Sequence, residues 1–167
     1  MSPAAPSSAE FTARLAEHQP LLWRVCRMYC PDATDQQDLY QEIVLQLWRA
    51  WPRYQPGAAK LSTWLYRVAL NVAISDLRRR TRHPGTAELE PDAPYAAPPP
   101  DDLGDDLAQL YRAIERLSEV EKAFVLLYLE ERSYEEMADI LGITQNNVRV
   151  KMHRVQEKLR TLFVRLV

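Results

Sequence analysis

Residues 83–104 decide most of what this chain can become. They carry Pro84, Pro91, Pro94 and Pro98–Pro100 among closely spaced acids. Proline lacks the N–H that helix and sheet interiors need, so the segment reads as a stiffened, solvated linker. It divides the 167 residues into two pieces, 9–82 and 105–167, each large enough for a small domain. With only 4 glycines and few alternating apolar runs, both pieces have helices as building material. The expected fold class is all-α, with a three-helix N-terminal domain and a four-helix C-terminal domain.

In the N-terminal piece the first helix is expected from about Ser8 to Cys30, ended by Pro31. The second starts at the capping types Thr34 or Asp35 and ends before Pro52. The third starts near Ser62 and ends in the basic run to Arg82. Trp51 to Lys60 has the Pro and Gly of a loop. In the C-terminal piece Leu107, Leu110, Tyr111, Ile114 and Leu117 keep a 3,4 spacing. Ser118 with Glu121, and Ser133 with Glu136, are capping boxes. Gly142 marks a turn, and Thr144 caps a long last helix. A short helix, a glycine turn and a second helix with one apolar and one basic stripe is the pattern of a helix-turn-helix, whose second helix enters the DNA major groove.

The net charge of −2 argues against a nucleic-acid binder, but its distribution reverses that. Arg53 to Arg82 holds 7 basic residues against Asp76 alone, and Arg149 to Val167 holds 6 against Glu157. Between them, Thr86 to Asp106 holds 7 acids and no base. Phosphate attraction follows local charge more than the total.

On the last helix Val148, Met152, Val155, Leu159 and Leu162 form a core stripe. The opposite face carries Asn146, Arg149, Val150, His153, Arg154 and Glu157, flanked by Lys151 and Lys158. Asn and Arg bond base edges, and Lys and Arg bond phosphates. Val150 in the middle of that polar face has no folding reason to be apolar, and a thymine methyl fits it. The bland alternative is a solvated face with one stray valine.

The third helix sets Leu61, Trp64, Leu65, Val68 and Val72 on one stripe but also shows Tyr66, Arg67, Leu70, Ile74 and Leu77 elsewhere. It is therefore either central in its domain or presents a working surface. Arg78, Arg79, Arg80 and Arg82 with Tyr54, Trp64 and Tyr66 suit single-stranded DNA, where bases stack on rings. Core packing for the aromatics and helix-dipole complementation for the arginines are the plain alternatives. The second helix buries Leu39, Ile43, Leu47 and Ala50, and its other face shows Asp38, Gln41, Leu45 and Trp48. Exposed Leu and Trp beside acids and amides suit a protein-docking surface, unless they meet a neighbouring helix.

Cys26 and Cys30 are four apart, a spacing that suits neither a usual disulfide nor a zinc knuckle. Cys26 shares a face with Leu15, Leu22 and Tyr29 and is read as a core thiol. No metal, cofactor or catalytic constellation is expected, so the chain is not expected to be an enzyme. Met1 to Glu10 lacks the order of a secretory signal, and no apolar run nears the roughly 20 residues of a membrane span. A cytoplasmic location is expected.

The motifs resemble those of the extracytoplasmic-function (ECF) RNA polymerase sigma factors. Asp35-x-x-Asp38-Leu39-x-Gln41-Glu42 with Leu47-Trp48 is similar to their region 2.1–2.2. Leu61 to Arg67, Asn71 and Leu77 to Arg80 are similar to regions 2.3–2.4. Leu117 to Lys122, Leu141 to Ile143 and Val148 to Arg154 are similar to region 4. The resemblance implies a non-catalytic promoter-specificity subunit. Its region 2 would occupy 9–82, its region 4 would occupy 105–167, and the linker 83–104 would thread toward the polymerase cleft.

Asp38, Gln41 and Glu42, with Leu45 and Trp48, would dock on the β′ clamp helices, and region 4 on the β flap. Tyr54, Lys60, Ser62, Trp64, Tyr66, Arg67, Asn71 and Arg78–Arg80 would capture and melt the minus-ten element. Thr144, Gln145, Asn146, Asn147, Arg149, Val150, Lys151, His153, Arg154 and Lys158 would read the minus-thirty-five element. An anti-sigma factor is a usual further partner.

The chain departs from the family at Leu70, Ser75, Asn146-Asn147 and Val150, where members often carry a basic residue, Asp, Gly-Thr and Ser. These positions bear on DNA reading. Competing readings are a stand-alone helix-turn-helix regulator of duplex DNA, and a thiol or zinc sensor built on His18, Cys26 and Cys30.

Overall fold

A computed structural model of the chain describes residues 7–82 and 104–166. The expected linker, 83–104, lies outside them apart from Gly104. Seven α-helices and one 3₁₀ turn make up the regular structure of the described residues. Contacts divide the chain into two units, Met1–Asp76 and Leu77–Val167.

In the first unit, α1 (Ser8–Tyr29) starts where Ser7 Oγ accepts the Glu10 N–H at 3.2 Å. It ends one residue earlier than expected, because Cys30, preceding Pro31, is pushed to an extended backbone (φ −129°, ψ 116°). Cys26 and Cys30 are both buried and unbridged. α2 (Ala33–Ala50) is capped by Asp32, whose carboxylate accepts the Asp35 N–H at 3.2 Å, rather than by Thr34 or Asp35. Gln36 Nε2 donates to the Cys30 carbonyl at 2.8 Å, tying the α1–α2 turn. Trp23 and Tyr40 stack at 4.2 Å and 3°, locking the two helices. α2 buries Leu39, Ile43 and Leu47, while Ala50 is half-buried.

Trp51–Arg53 forms a 3₁₀ turn with Pro52 in its first positions. A loop follows in which Gly57 takes φ 97°, and then α3 (Leu61–Arg82), whose residues from Leu77 onward belong to the second unit. The buried face of α3 is Thr63, Leu65, Tyr66, Ala69, Leu70 and Ala73, rotated from the expected stripe. Trp64, Val68 and Val72 lie half-buried beside it. Apolar residues occur nearly all round this helix, so periodicity alone could not choose the face.

In the second unit, α4 (Asp105–Glu115) has Gly104 at its N-cap and Asp105 and Asp106 in its first turn, where the helix dipole favours negative charge. It buries Ala108, Ala113 and Ile114, whereas Leu107 and Tyr111 of the 3,4 spacing are exposed. α5 (Glu119–Leu129) opens on the Ser118–Glu121 capping box and buries every residue from Lys122 to Leu127. That is the signature of the central helix of a small bundle.

α6 (Tyr134–Leu141) opens on the Ser133–Glu136 box and ends at Gly142 with φ 67° and ψ 32°. The Gly142 and Ile143 N–H groups both donate to the Ala138 carbonyl, at 2.9 and 3.2 Å. α7 (Gln145–Leu166) follows, with Thr144 Oγ1 accepting the Asn147 N–H at 3.2 Å. Val148, Met152 and Val155 of α7 are buried with Met137 and Ile140 of α6. Each such side chain contributes roughly 1.5–3 kcal/mol when fully buried. Among the described residues, no helix is long and apolar enough to cross a membrane.

Candidate nucleic-acid and polymerase interfaces

With the α6–α7 turn fixed by Gly142 and the α7 core stripe fixed by Val148 and Met152, the other side of α7 is forced outward. Thr144, Gln145, Asn146, Asn147, Arg149, Lys151, His153 and Arg154 are all exposed. Val150 is 42% exposed in their midst. The surface offers amide and guanidinium donors around one aliphatic group, the set that reads base edges and a thymine methyl.

Two polar residues of α7 are otherwise engaged. Glu157 pairs with Arg160. Lys158, expected as a DNA contact, places its Nζ 2.8 Å from a Glu121 oxygen. Burial works to raise the Glu121 pKa, but Lys158 and the Ser118 N–H outweigh it and hold the carboxyl below the ordinary value. Lys158 thus clamps α7 to the α5 cap, and its ammonium is committed to that carboxylate.

On the first unit Asp38, Gln41 and Glu42 are exposed along α2, with Gln46 Nε2 donating to Glu42 Oε1 at 3.0 Å. Leu45 is 41% and Trp48 46% exposed. Together with α1 they line a groove of about 580 Å³, whose walls include Phe11 and Thr12 of α1 and Tyr40, Gln41, Val44, Leu45 and Trp48 of α2. Trp48 also meets Phe11 edge-on at 5.1 Å, so it both touches the neighbouring helix and remains accessible.

The residues expected to capture single-stranded DNA divide. Tyr54, Ser62 and Trp64 are half-buried, and Lys60, Arg67, Asn71 and Arg79 are exposed, with Arg80 intermediate. Tyr54 and Trp64 lie ring to ring at 5.0 Å. Tyr66 is a correction: at 1% exposure its ring is core, and no base can stack on it in this conformation. Arg78 Nε donates to Glu119 Oε1 at 2.7 Å within the second unit, so its charge is already matched there.

Trp51 was not singled out from the sequence. It is buried against Tyr54, Trp64 and Phe11, and its only signal was the spacing of Trp48, Trp51 and Tyr54. Among the described residues no cluster of three or more His, Cys, Asp or Glu is placed to hold a metal. Burial, then Cys30, push the Cys26 thiol up to about 12, where it stays protonated and unreactive.

The family model described as Sigma-70 region 2 matches residues 15–83, and that described as Sigma-70, region 4 matches residues 107–159. The chain belongs to the ECF RNA polymerase sigma factors. It is 31% identical over 154 residues to the RNA polymerase sigma factor CarQ of Myxococcus xanthus, covering 91% of this chain and 88% of that one. It is also 31% identical over 150 residues to the ECF RNA polymerase sigma factor SigE of Mycolicibacterium smegmatis, covering 86% of this chain but 58% of the relative's length.

Two solved structures share the fold of this sigma factor. One is the sigma factor RpoE in complex with the anti-sigma factor NepR from Bartonella quintana (TM-score 0.72, 21% identity, 92% of this chain and 96% of that one). The other is CnrH in complex with the cytosolic domain of CnrY (TM-score 0.67, 22% identity, 95% and 90%). The region 2 match includes α2, the loop after it and α3, and the region 4 match includes the α6–α7 turn and the face around Val150.

Proposed function

We propose that the chain is a promoter-specificity subunit of RNA polymerase acting in the cytoplasm, without catalysis of its own. Residues 9–82 serve as region 2 and 105–167 as region 4, joined through 83–104. Asp38, Gln41, Glu42, Leu45 and Trp48 dock on the β′ clamp helices, and region 4 meets the β flap. Tyr54 and Trp64 present ring faces to unstacked bases of the minus-ten element, with Lys60, Ser62, Arg67, Asn71, Arg79 and Arg80 supplying polar and phosphate contacts. Thr144 to Asn147, Arg149, Val150, Lys151, His153 and Arg154 read the minus-thirty-five element in the major groove. An anti-sigma factor is a further partner, in keeping with the two structural neighbours determined with theirs.

The observation that carries this reading is the outward face of α7, where base-reading donors surround an exposed Val150 behind a capped helix-turn-helix. The test is run-off transcription by core polymerase with and without the purified chain. Arg149→Ala is expected to cost about 1–3 kcal/mol on the upstream element and leave polymerase binding intact. Trp48→Ala is expected to do the reverse, costing about 2 kcal/mol of polymerase affinity. Clean duplex binding with no stimulation on any promoter pool would instead mark a stand-alone regulator.

A further inference from the structure

Five rings of the first unit, Phe11, Trp48, Trp51, Tyr54 and Trp64, form one connected series. Trp48 meets Phe11 at 5.1 Å and 65°, and Phe11 meets Trp51 at 5.4 Å and 63°. Trp51 stacks on Tyr54 at 5.3 Å and 14° and lies 5.8 Å from Trp64. Trp51 is 3% exposed. Its Nε1–H donates to the Ser7 carbonyl at 3.3 Å, the same oxygen that accepts the Phe11 N–H at 3.1 Å. Ser7 in turn caps α1. The first turn of α1 therefore grips Trp51 by a hydrogen bond and a ring edge, and Trp51 supports Tyr54 from beneath.

Tyr54 is tied by its own N–H, which donates to the Trp51 carbonyl at 3.0 Å, and the loop beyond it is largely exposed. Gln55 to Ala58 are exposed, and Ala59 is half-buried. Ties within it include the bridge between Pro56 and Ala59 and the Ala58 N–H donating to the Gln55 carbonyl at 3.3 Å. Gly57 at φ 97° adds no side chain. The Tyr54 ring rests against Trp51 on a near-parallel plane and against Trp64 at 5.0 Å.

We propose that Trp51 is a positioning residue for single-strand recognition: anchored by Ser7 and Phe11, it holds the Tyr54 ring at the angle needed to receive an unstacked base. This rests on the reading that Tyr54 contacts single-stranded promoter DNA. It adds to the recognition apparatus the first turn of α1, which precedes the span matched by region 2 at residue 15. A ring held in advance loses less entropy when a base stacks on it, so the support shows in affinity without touching the ligand.

The test uses holoenzyme assembled from the full chain and core polymerase. The probe is a labelled single-stranded DNA carrying the non-template minus-ten segment of a promoter active in run-off transcription. Trp51→Leu is expected to weaken probe binding about tenfold, in the range of one base–aromatic stack, with polymerase assembly changed less than about twofold. Trp51→Phe keeps the stack and is expected to recover binding to within about threefold. In a Tyr54→Ala background Trp51→Leu is expected to have no further effect, because residues acting as one unit are not additive.

Wild-type probe binding by Trp51→Leu, or an additive loss in the Tyr54→Ala background, overturns the proposal. So does an equal loss of assembly and probe binding that Trp51→Phe fails to rescue. Where Trp51→Leu does not fold, Trp51→Met takes its place under the same criteria. Unchanged probe binding by Tyr54→Ala alone would refute the parent reading instead, and so is told apart.

Discussion

Replacing Lys158 by methionine separates two roles that the sequence could not distinguish. As a phosphate ligand, Lys158 would release about one counterion, and its loss would lower the slope of log K against log salt by about 0.9. As the clamp seen here, its ammonium sits 2.8 Å from Glu121 and its loss acts on folding. The side chains are 43% and 27% exposed, so solvent screening limits the pair to about 0.5–1 kcal/mol. Lys158→Met should therefore lower region 4 stability by that amount in urea unfolding and leave the salt slope for upstream duplex binding unchanged. Lys151→Met, on the exposed face, should do the opposite.

Glu121→Gln supplies the cross-check, because glutamine preserves the capping box but not the charge. The double variant should show a coupling of about 0.5 kcal/mol. The pH dependence has a defined sign. Glu121 is held below its ordinary value of 4.5, so its contribution is fully present above that value and is lost as pH falls through the lowered one. Lys158→Met should flatten stability against pH in that acid range. A drop of about 0.9 in the salt slope for Lys158→Met would refute the clamp and restore Lys158 to the DNA-reading set.

Gly142→Ala should cost about 1 kcal/mol, or about 4–8 °C in the melting temperature of a domain this size. A Cβ there meets nothing within 4 Å, so the whole cost is the left-handed backbone at φ 67°; an unchanged melting temperature would show that the turn relaxes. With its pKa pushed up to about 12, Cys26 should resist alkylation at about pH 8 in the native protein and react fully in urea, as read by mass spectrometry; rapid native labelling would show that α1 opens readily.

The helix count and the caps at Ser118, Ser133 and Thr144 were legible because each depends on neighbours three or four residues away. The turn at Gly142 was legible for the same reason. What was not legible depends on tertiary neighbours. α3 is apolar nearly all round, and only its packing decides that Tyr66 is core while Trp64 is at the margin. Leu107 and Tyr111 fit a helical stripe with Ile114, yet the buried centre of α4 is Ala108, Ala113 and Ile114. The Lys158–Glu121 pair spans 37 residues and the Trp51–Ser7 bond 44, distances at which no local pattern speaks.

Helix geometry sharpens which exposed apolar residues call for an explanation other than packing. At about 100° per residue, Tyr111 lies between Ala108 and Ile114, about 60° from each, so its phase on α4 would allow burial although the ring is exposed. Val150 lies about 200° from both Val148 and Met152, and no rotation of α7 that keeps those two buried can bury it. Leu45 stands in the same relation to Ile43 and Leu47 on α2. Folding therefore has no use for an aliphatic side chain at Val150 or Leu45, while solvation favours a polar one. Exposed polar groups surround each, amides and cations around Val150, and Asp38, Gln41, Glu42 and Arg49 around Leu45. A surface that reads duplex DNA needs the first combination, and a surface that docks on protein helices needs the second. The two valencies of the proposed function would then fall on positions that the two cores leave unused.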